Sequence, residues 1–136
     1  MSAPRYPPHP MAAPFTVLIM AAGQGTRMRS DTPKVLHRVA GRSLVEWVAG
    51  AARAAGAERV IAIVRPGDGV TEGLPDGFEV AEQREGEGTG AAVLAARDAV
   101  LAGGDPGDSS PVVVLSADHP LITSEQLEGL LDEHEK

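Results

Sequence analysis

The sequence contains no cysteine, which excludes a disulfide scaffold, a thiolate zinc site and a cysteine nucleophile. Aromatic residues make up only 3% of it, too few for a platform on which nucleic-acid bases stack. Positive charge is also short: 12 Lys and Arg face 19 Asp and Glu, for a net charge of −7. That balance argues against a general nucleic-acid binder. No apolar run approaches the ~20 residues of a membrane-spanning helix. The apolar stretch from Phe15 to Ala22 has prolines before it and a charged glycine loop after it. That is the wrong flanking pattern for a secretory signal. A cytoplasmic protein with no membrane partner is expected.

What remains is an ordinary globular balance, 43% hydrophobic and 23% charged over 136 residues. A chain of this length makes one domain and buries roughly two-thirds of its unfolded surface. Residues 1–14 hold five prolines and read as a disordered leader, within which Met11 is a second potential start. Residues 15–136 read as the folded part.

Phe15 to Met20 (FTVLIM) predicts a strand buried on both faces. Ser43 and Glu46 have capping-box spacing and open a helix whose apolar face is read as Leu44, Val48, Ala51, Ala52 and Ala55, with Gly56 as its stop. Arg59 to Val64 is a second buried strand. The stretch from Arg65 to Gly77 is turn-rich, and Phe78 to Glu82 is a short strand. Thr89 to Leu101 is an alanine-rich helix with Val93, Leu94, Val100 and Leu101 as its larger apolar members. A loop from Gly103 to Ser110 leads to a strand at Pro111 to Leu115. Thr123 and Gln126 repeat the capping spacing and open a last helix reaching His134. Alternating strands and helices imply an α/β fold: a Rossmann-like, mostly parallel sheet with helices on both faces. Ligands of such sheets sit at the carboxyl ends of strands. Two features fall there, the Ala21–Met28 loop and Asp118.

The scarce positive charge is concentrated beside the first of these. Arg27, Arg29, Lys34, Arg38 and Arg42 face Asp31 alone within Ala21–Arg42, which suggests a local anion site. The loop is AAGQGTRMRSDTPK. It lacks the glycine spacing and Lys-Ser/Thr of a Walker A loop. It also lacks the third glycine of a dinucleotide fingerprint, since Met28 stands there and Pro33 interrupts any helix to follow. Yet Ala21, Ala22, Gly23 and Gly25 offer little bulk, so backbone amides can approach a ligand. Arg27 and Lys34 supply cations suited to a polyphosphate.

The run LIMAAGQGTRMRSDTPKVLHRVAGRSLVEWV, Leu18 to Val48, closely resembles the opening of the N-acetylglucosamine-1-phosphate uridylyltransferase family, within the broader MobA-like NTP transferases. The QREGEGTGAA segment, Gln83 to Ala92, matches that family's Gln-x-x-x-x-Gly-Thr-Gly without a gap. LSADHPL, Leu115 to Leu121, matches its Gly-Asp-x-Pro-Leu segment. The resemblance implies a nucleotidyltransferase domain of the GT-A-like type. It implies a Mg2+-dependent transfer of UMP from UTP to a sugar-1-phosphate, giving a UDP-sugar and pyrophosphate. N-acetylglucosamine 1-phosphate is the expected acceptor and peptidoglycan precursors the expected use.

It further implies residue roles. Arg27 and Lys34 would hold the phosphates, Gln83 would read the uracil edge with Thr89 in support, Gly88 would let the backbone approach, and Asp118 would bind the metal. A carboxamide offers both donor and acceptor to a base, and a carboxylate at a strand end suits a hard oxygen-seeking cation. His119 reads as an ordinary loop residue, because magnesium favours oxygen ligands; His37 reads as structural. Two departures stand out: Ala91 replaces the family's usual histidine, and Ala117 its usual glycine. The family's sugar-binding residues, the asparagine that shares its metal and its C-terminal acetyltransferase β-helix lie further along. The chain is therefore expected to be a fragment or a truncated gene product that carries the nucleotide-binding part of the domain. Two alternatives remain open: an NTP transferase using CTP or GTP on a molybdopterin-like or polyol phosphate, and a non-catalytic nucleotide-binding module.

Overall fold

The computed structural model describes residues 14–22, 32–103 and 110–135. The expected leader, the glycine loop with Gly23, Gly25 and Arg27, and most of the loop after Gly103 lie outside the described residues.

Four strands form one parallel sheet: β1 (Phe15–Met20), β4 (Ala57–Val64), β5 (Glu79–Glu82) and β6 (Val112–Ser116), in the order β5-β4-β1-β6. Ile19 stands between Ala62 of β4 and Leu115 of β6, which places β1 at the centre. The alternation of side chains along each strand divides the core in two. Phe15, Val17 and Ile19 face one side with Val60, Ala62 and Val64, whereas Leu18 faces the other with Ile61 and Ile63. Both sides are covered, so β1 and β4 at the middle of the sheet carry continuous apolar runs, as expected, whereas the edge strand β5 (EVAE) buries only Ala81.

The first side is covered by α1 (Leu44–Ala54) and α4 (Ser124–Glu135). The capping box at Ser43 is complete: the Glu46 amide donates to Ser43 Oγ, and the Ser43 amide donates to Glu46 Oε2 at 2.6 Å. That backbone bond, with the hydroxyl's, holds the Glu46 carboxyl below the usual carboxylate range. Gly56 ends the helix at φ +101°, a conformation glycine adopts without a Cβ penalty. The buried stripe of α1 is Val45, Val48, Ala49 and Ala52, rotated from the expected one. Leu44 and Ala51 are only half-buried, because the i, i+3, i+4, i+7 set starting at Val45 points more directly at the sheet. The second capping box also forms, with Thr123 and Gln126 exchanging bonds of 3.0 and 3.2 Å.

The other side is covered by α3 (Gly88–Ala102), which buries Ala92 and Ala96 against Leu18, Ile61 and Ile63. Of its larger members, Val93 and Val100 pack half-buried against this cluster, whereas Leu94 and Leu101 are 72% and 60% exposed. Small side chains let the helix lie close to the sheet. Its far end is held by Arg59, whose guanidinium donates to the Ala99 and Val100 carbonyls and pairs with both oxygens of Glu79. That pairing lowers the Glu79 carboxyl below its usual range and raises the guanidinium.

Three small elements are additional to the expected ones. A 3-10 turn at Lys34–Leu36 leads into a hairpin of β2 (Arg38–Val39) and β3 (Arg42–Ser43), and α2 (Val70–Gly73) is a single turn within the turn-rich stretch. The hairpin closes on Ala40 and Gly41 with φ +51° and +84°, the positive-φ pair of a tight two-residue turn. Trp47 Nε1 donates to the Val39 carbonyl at 2.7 Å, and the Arg42 guanidinium sits 5.2 Å from the Trp47 ring centroid. The tryptophan thus anchors the hairpin to α1.

Candidate functional site

All four strands run in the same direction, so their carboxyl ends line one edge of the sheet. Reading along the order β5-β4-β1-β6, the next residues are Gln83, Arg65, Ala21 with Ala22, and Ala117 with Asp118. Groups that are far apart in sequence therefore stand in a row.

Ala21 and Ala22 are buried. The Ala21 amide donates to the Ile63 carbonyl at 2.9 Å, and the Ala117 amide donates to the Met20 carbonyl at 3.2 Å. Both amides continue the sheet ladder past the strand ends. The Ala21 N–H is thereby committed to the sheet and is not the backbone donor to a ligand that the loop sequence suggests.

Lys34 is placed by its turn. Pro33 is extended at φ −53° and ψ 142°, and the Leu36 and His37 amides then close back on the Pro33 and Lys34 carbonyls. Val35 is buried in the core and Leu36 packs against it, so the intervening chain is fixed from below. His37 Nε2 donates to the Thr32 carbonyl at 3.1 Å, closing the turn from outside, in keeping with its expected structural role. Lys34 Nζ lies 3.5 Å from Asp118 Oδ1, with the two side chains 42% and 47% exposed. The cation after the glycine loop and the carboxylate after β6 are thus neighbours across the carboxyl end of the sheet.

Asp118 sits in the turn after β6, its amide donating to Ser116 Oγ at 3.2 Å. The His119 amide donates to the Ser116 carbonyl, and the Ile122 amide to the His119 carbonyl, each at 3.3 Å. Among the described residues no group of three or more His, Asp or Glu could cage a metal. A single exposed carboxylate fits a hard cation that takes its other ligands from water and from the oxygens of a bound phosphate. A cleft of about 530 Å³ adjoins Asp118, running along β6 to Leu121, Ile122 and Gln126.

At the other end of the row, Gln83 is 3% exposed. Its amide donates to the Val64 carbonyl at 2.7 Å, and its side-chain Nε2 donates to the Gly86 carbonyl at 3.2 Å. The same Gly86 carbonyl accepts from Arg65 Nη2 at 3.0 Å. Gly86 has φ +78°, and a Cβ built on it would stand 2.8 Å from that of Ala91. Gly88 begins α3 with φ +84°, and open space lies where its Cβ would be, as it does at Gly90. Thr89 is exposed in the first turn of α3. The sequence places Arg65 only at the start of a turn-rich stretch and assigns it no role, although it follows a buried strand and so falls at a carboxyl end where ligand contacts collect.

The distance between the two ends follows from the sheet. Gln83 and Asp118 follow strands three places apart, so about 14 Å separates them at ordinary strand spacing. That is on the scale of a nucleoside triphosphate laid across the strand ends.

Residues 17–136 match the family model described as the MobA-like NTP transferase domain. Among curated proteins, the chain is 50% identical over 120 residues to the bifunctional protein GlmU of Xanthobacter autotrophicus, covering 85% of this chain and 25% of that protein. It is 38% identical over 119 residues to the bifunctional protein GlmU of Thermotoga maritima, covering 88% and 25%. The chain therefore spans about a quarter of the length of these relatives. Among solved structures, Rv0371c from Mycobacterium tuberculosis superposes with a TM-score of 0.65 at 24% identity, over 89% of this chain and 60% of that one. UDP-glucose pyrophosphorylase from Acinetobacter baumanii superposes with a TM-score of 0.60 at 21% identity, over 78% and 46%. These two superpositions show the fold.

Proposed function

The chain belongs to the MobA-like NTP transferase family, and from that premise we propose that it forms the nucleotide-binding part of a cytoplasmic uridylyltransferase. In this reading it binds UTP with a divalent cation and transfers UMP to a sugar-1-phosphate, with N-acetylglucosamine 1-phosphate as the acceptor. The observation that carries the reading is the row of groups at the strand ends. A buried carboxamide lies at one end and a cation–carboxylate pair at the other, about a nucleotide's length away. The GlmU relatives at 38–50% identity support the same reading.

Gln83 meets the base, and Thr89 with the open backbone at Gly88 borders it. Ala22, small and buried at the end of β1, leaves room for the ribose and phosphates. Lys34 takes the α-phosphate, where negative charge builds as the acceptor oxygen attacks in line and pyrophosphate departs. The resemblance assigns the outer phosphates to Arg27, which lies outside the described residues. The attacking phosphate oxygen is already anionic, so no general base is needed, and positioning with charge neutralisation carries the rate. Asp118 would hold a divalent cation, for which Mg2+ is the proposed metal; Rv0371c from Mycobacterium tuberculosis, of the same fold, has a structure in complex with manganese. Bound there, the cation supplies charge neutralisation and orientation of the phosphates.

Ground-state binding tests the nucleotide half without an acceptor. Calorimetric titration of the chain with magnesium-UTP, magnesium-CTP and magnesium-GTP should give saturable binding that favours UTP. A preference for CTP or GTP would redirect the assignment to another NTP transferase. A folded chain that binds none of the three would remove it.

A further inference from the structure

The Gly86 carbonyl accepts two hydrogen bonds, from Gln83 Nε2 and from Arg65 Nη2. A carbonyl can only accept, so the end of the Gln83 carboxamide that meets it must be the NH2 end. The carboxamide oxygen is therefore the end turned away. The side chain is 97% covered, so free rotation to exchange the two ends would require the surrounding loop to open. Which end of Gln83 faces a ligand is then set by how firmly the Gly86 carbonyl is held.

Two features hold it. Gly86 occupies a positive-φ conformation with Ala91 close behind, and this aims the carbonyl inward. Arg65 reaches it from the neighbouring strand end. The Arg65 backbone is fixed in turn, because its amide donates to Asp68 Oδ2 at 3.0 Å while Asp68 Oδ1 accepts from the Val70 amide at 2.9 Å. The guanidinium thus acts from a braced turn and bridges β4 to the loop that follows β5.

We propose that Arg65 is a positioning residue for base selection: by holding the Gly86 carbonyl, it orients Gln83 to present an acceptor to the base. This rests on the reading of Gln83 as the base-recognition residue. Uracil carries a hydrogen on ring N3 and matches a presented acceptor. Cytosine carries a lone pair at N3 and opposes it. A carboxamide free to turn would accommodate both, so fixing it converts a tolerant group into a selective one.

The test uses the 136-residue chain and its Arg65→Met and Arg65→Lys variants, titrated with magnesium-UTP, magnesium-CTP and uridine. Arg65→Met should lose roughly three- to tenfold of the UTP-over-CTP preference, the scale of one hydrogen bond, with the same fractional loss for uridine as for UTP. Arg65→Lys should recover part of it. Hydrogen exchange in the free protein gives a readout that needs no nucleotide: amides 84–89 should exchange faster in Arg65→Met while those of β1 and β4 keep their protection. An unchanged preference in Arg65→Met, or unchanged exchange in that loop, overturns the inference while leaving the Gln83 reading in place. A loss seen with UTP but not with uridine also overturns it, by making Arg65 a phosphate contact. A wild-type chain that binds UTP and CTP equally overturns the Gln83 reading, and this inference with it.

Discussion

Replacing Lys34 with methionine separates a residue kept for binding from one kept for the fold. In the free protein the ammonium stands 3.5 Å from the Asp118 carboxylate, with the two side chains 42% and 47% exposed. At that separation in a water-like dielectric the attraction is about 1.2 kcal/mol. The entropy lost in holding two mobile side chains in register offsets most of it. Lys34→Met should therefore cost no more than about 1 kcal/mol of stability, which for a domain of this size is roughly 3–5 °C in Tm. The aliphatic stem is retained, so the packing of Val35 and Leu36 beneath it is undisturbed. Binding should respond quite differently. A charge-assisted hydrogen bond to phosphate contributes about 1.5–3 kcal/mol, so magnesium-UTP affinity should fall roughly 10- to 150-fold. Thermal unfolding without ligand and calorimetric titration with it measure the two quantities on the same sample. A large fall in Tm combined with unchanged affinity would instead make Lys34 a structural residue with no part in binding.

The remaining predictions concern the metal and the scaffold. Asp118→Asn should leave Tm within about 1 kcal/mol equivalent and flatten the dependence of UTP affinity on magnesium; equal magnesium dependence in both proteins would exclude Asp118 as the cation's ligand. Glu79 is ionised more readily when folded, because it accepts hydrogen bonds from Arg59. Its contribution is complete above the ordinary carboxylate range and is lost as pH falls through its lowered folded value. Wild type should therefore lose stability in acid more steeply than Glu79→Gln, as read by urea unfolding between about pH 6 and pH 3. Ser43→Ala removes the side-chain half of the capping box and should cost about 1 kcal/mol in the same assay. Gly56→Ala should cost roughly 1–2 kcal/mol from its backbone alone, because a Cβ there meets only Phe15 at an ordinary 3.8 Å.

The strands and long helices were legible because their signals are local. FTVLIM and RVIAIV are short apolar runs bounded by turns, and both capping boxes announced their helices at the right residues. The small elements were not legible in the same way. The hairpin at Arg38–Ser43 consists of two strands of two residues each, and its stability comes from Trp47 and the start of α1 rather than from its own pattern. The buried face of α1 differs from the expected one because Leu44 and Val45 are adjacent apolar residues, either of which can begin the stripe, and contact with the sheet selects Val45. At the site, the basic glycine-rich loop pointed to Lys34 and the strand end to Asp118, whereas Gln83 entered only through the family resemblance. Their arrangement in one row is a property of the strand order β5-β4-β1-β6, which the linear sequence does not state. Arg65 escaped because its role is a hydrogen bond to a backbone carbonyl 21 residues away, and such a bond leaves no pattern of residue types.

One uridine nucleotide is proposed to span the carboxyl ends of all four strands. Amide chemical-shift mapping of the 15N-labelled chain during titration with magnesium-UTP tests it most directly. Saturable shifts are expected in two separate segments, Gln83 to Gly90 and Ala117 to His119, that follow a single binding curve, with uridine alone reproducing only the first. Shifts confined to one segment, or two segments that titrate with different affinities, would contradict it.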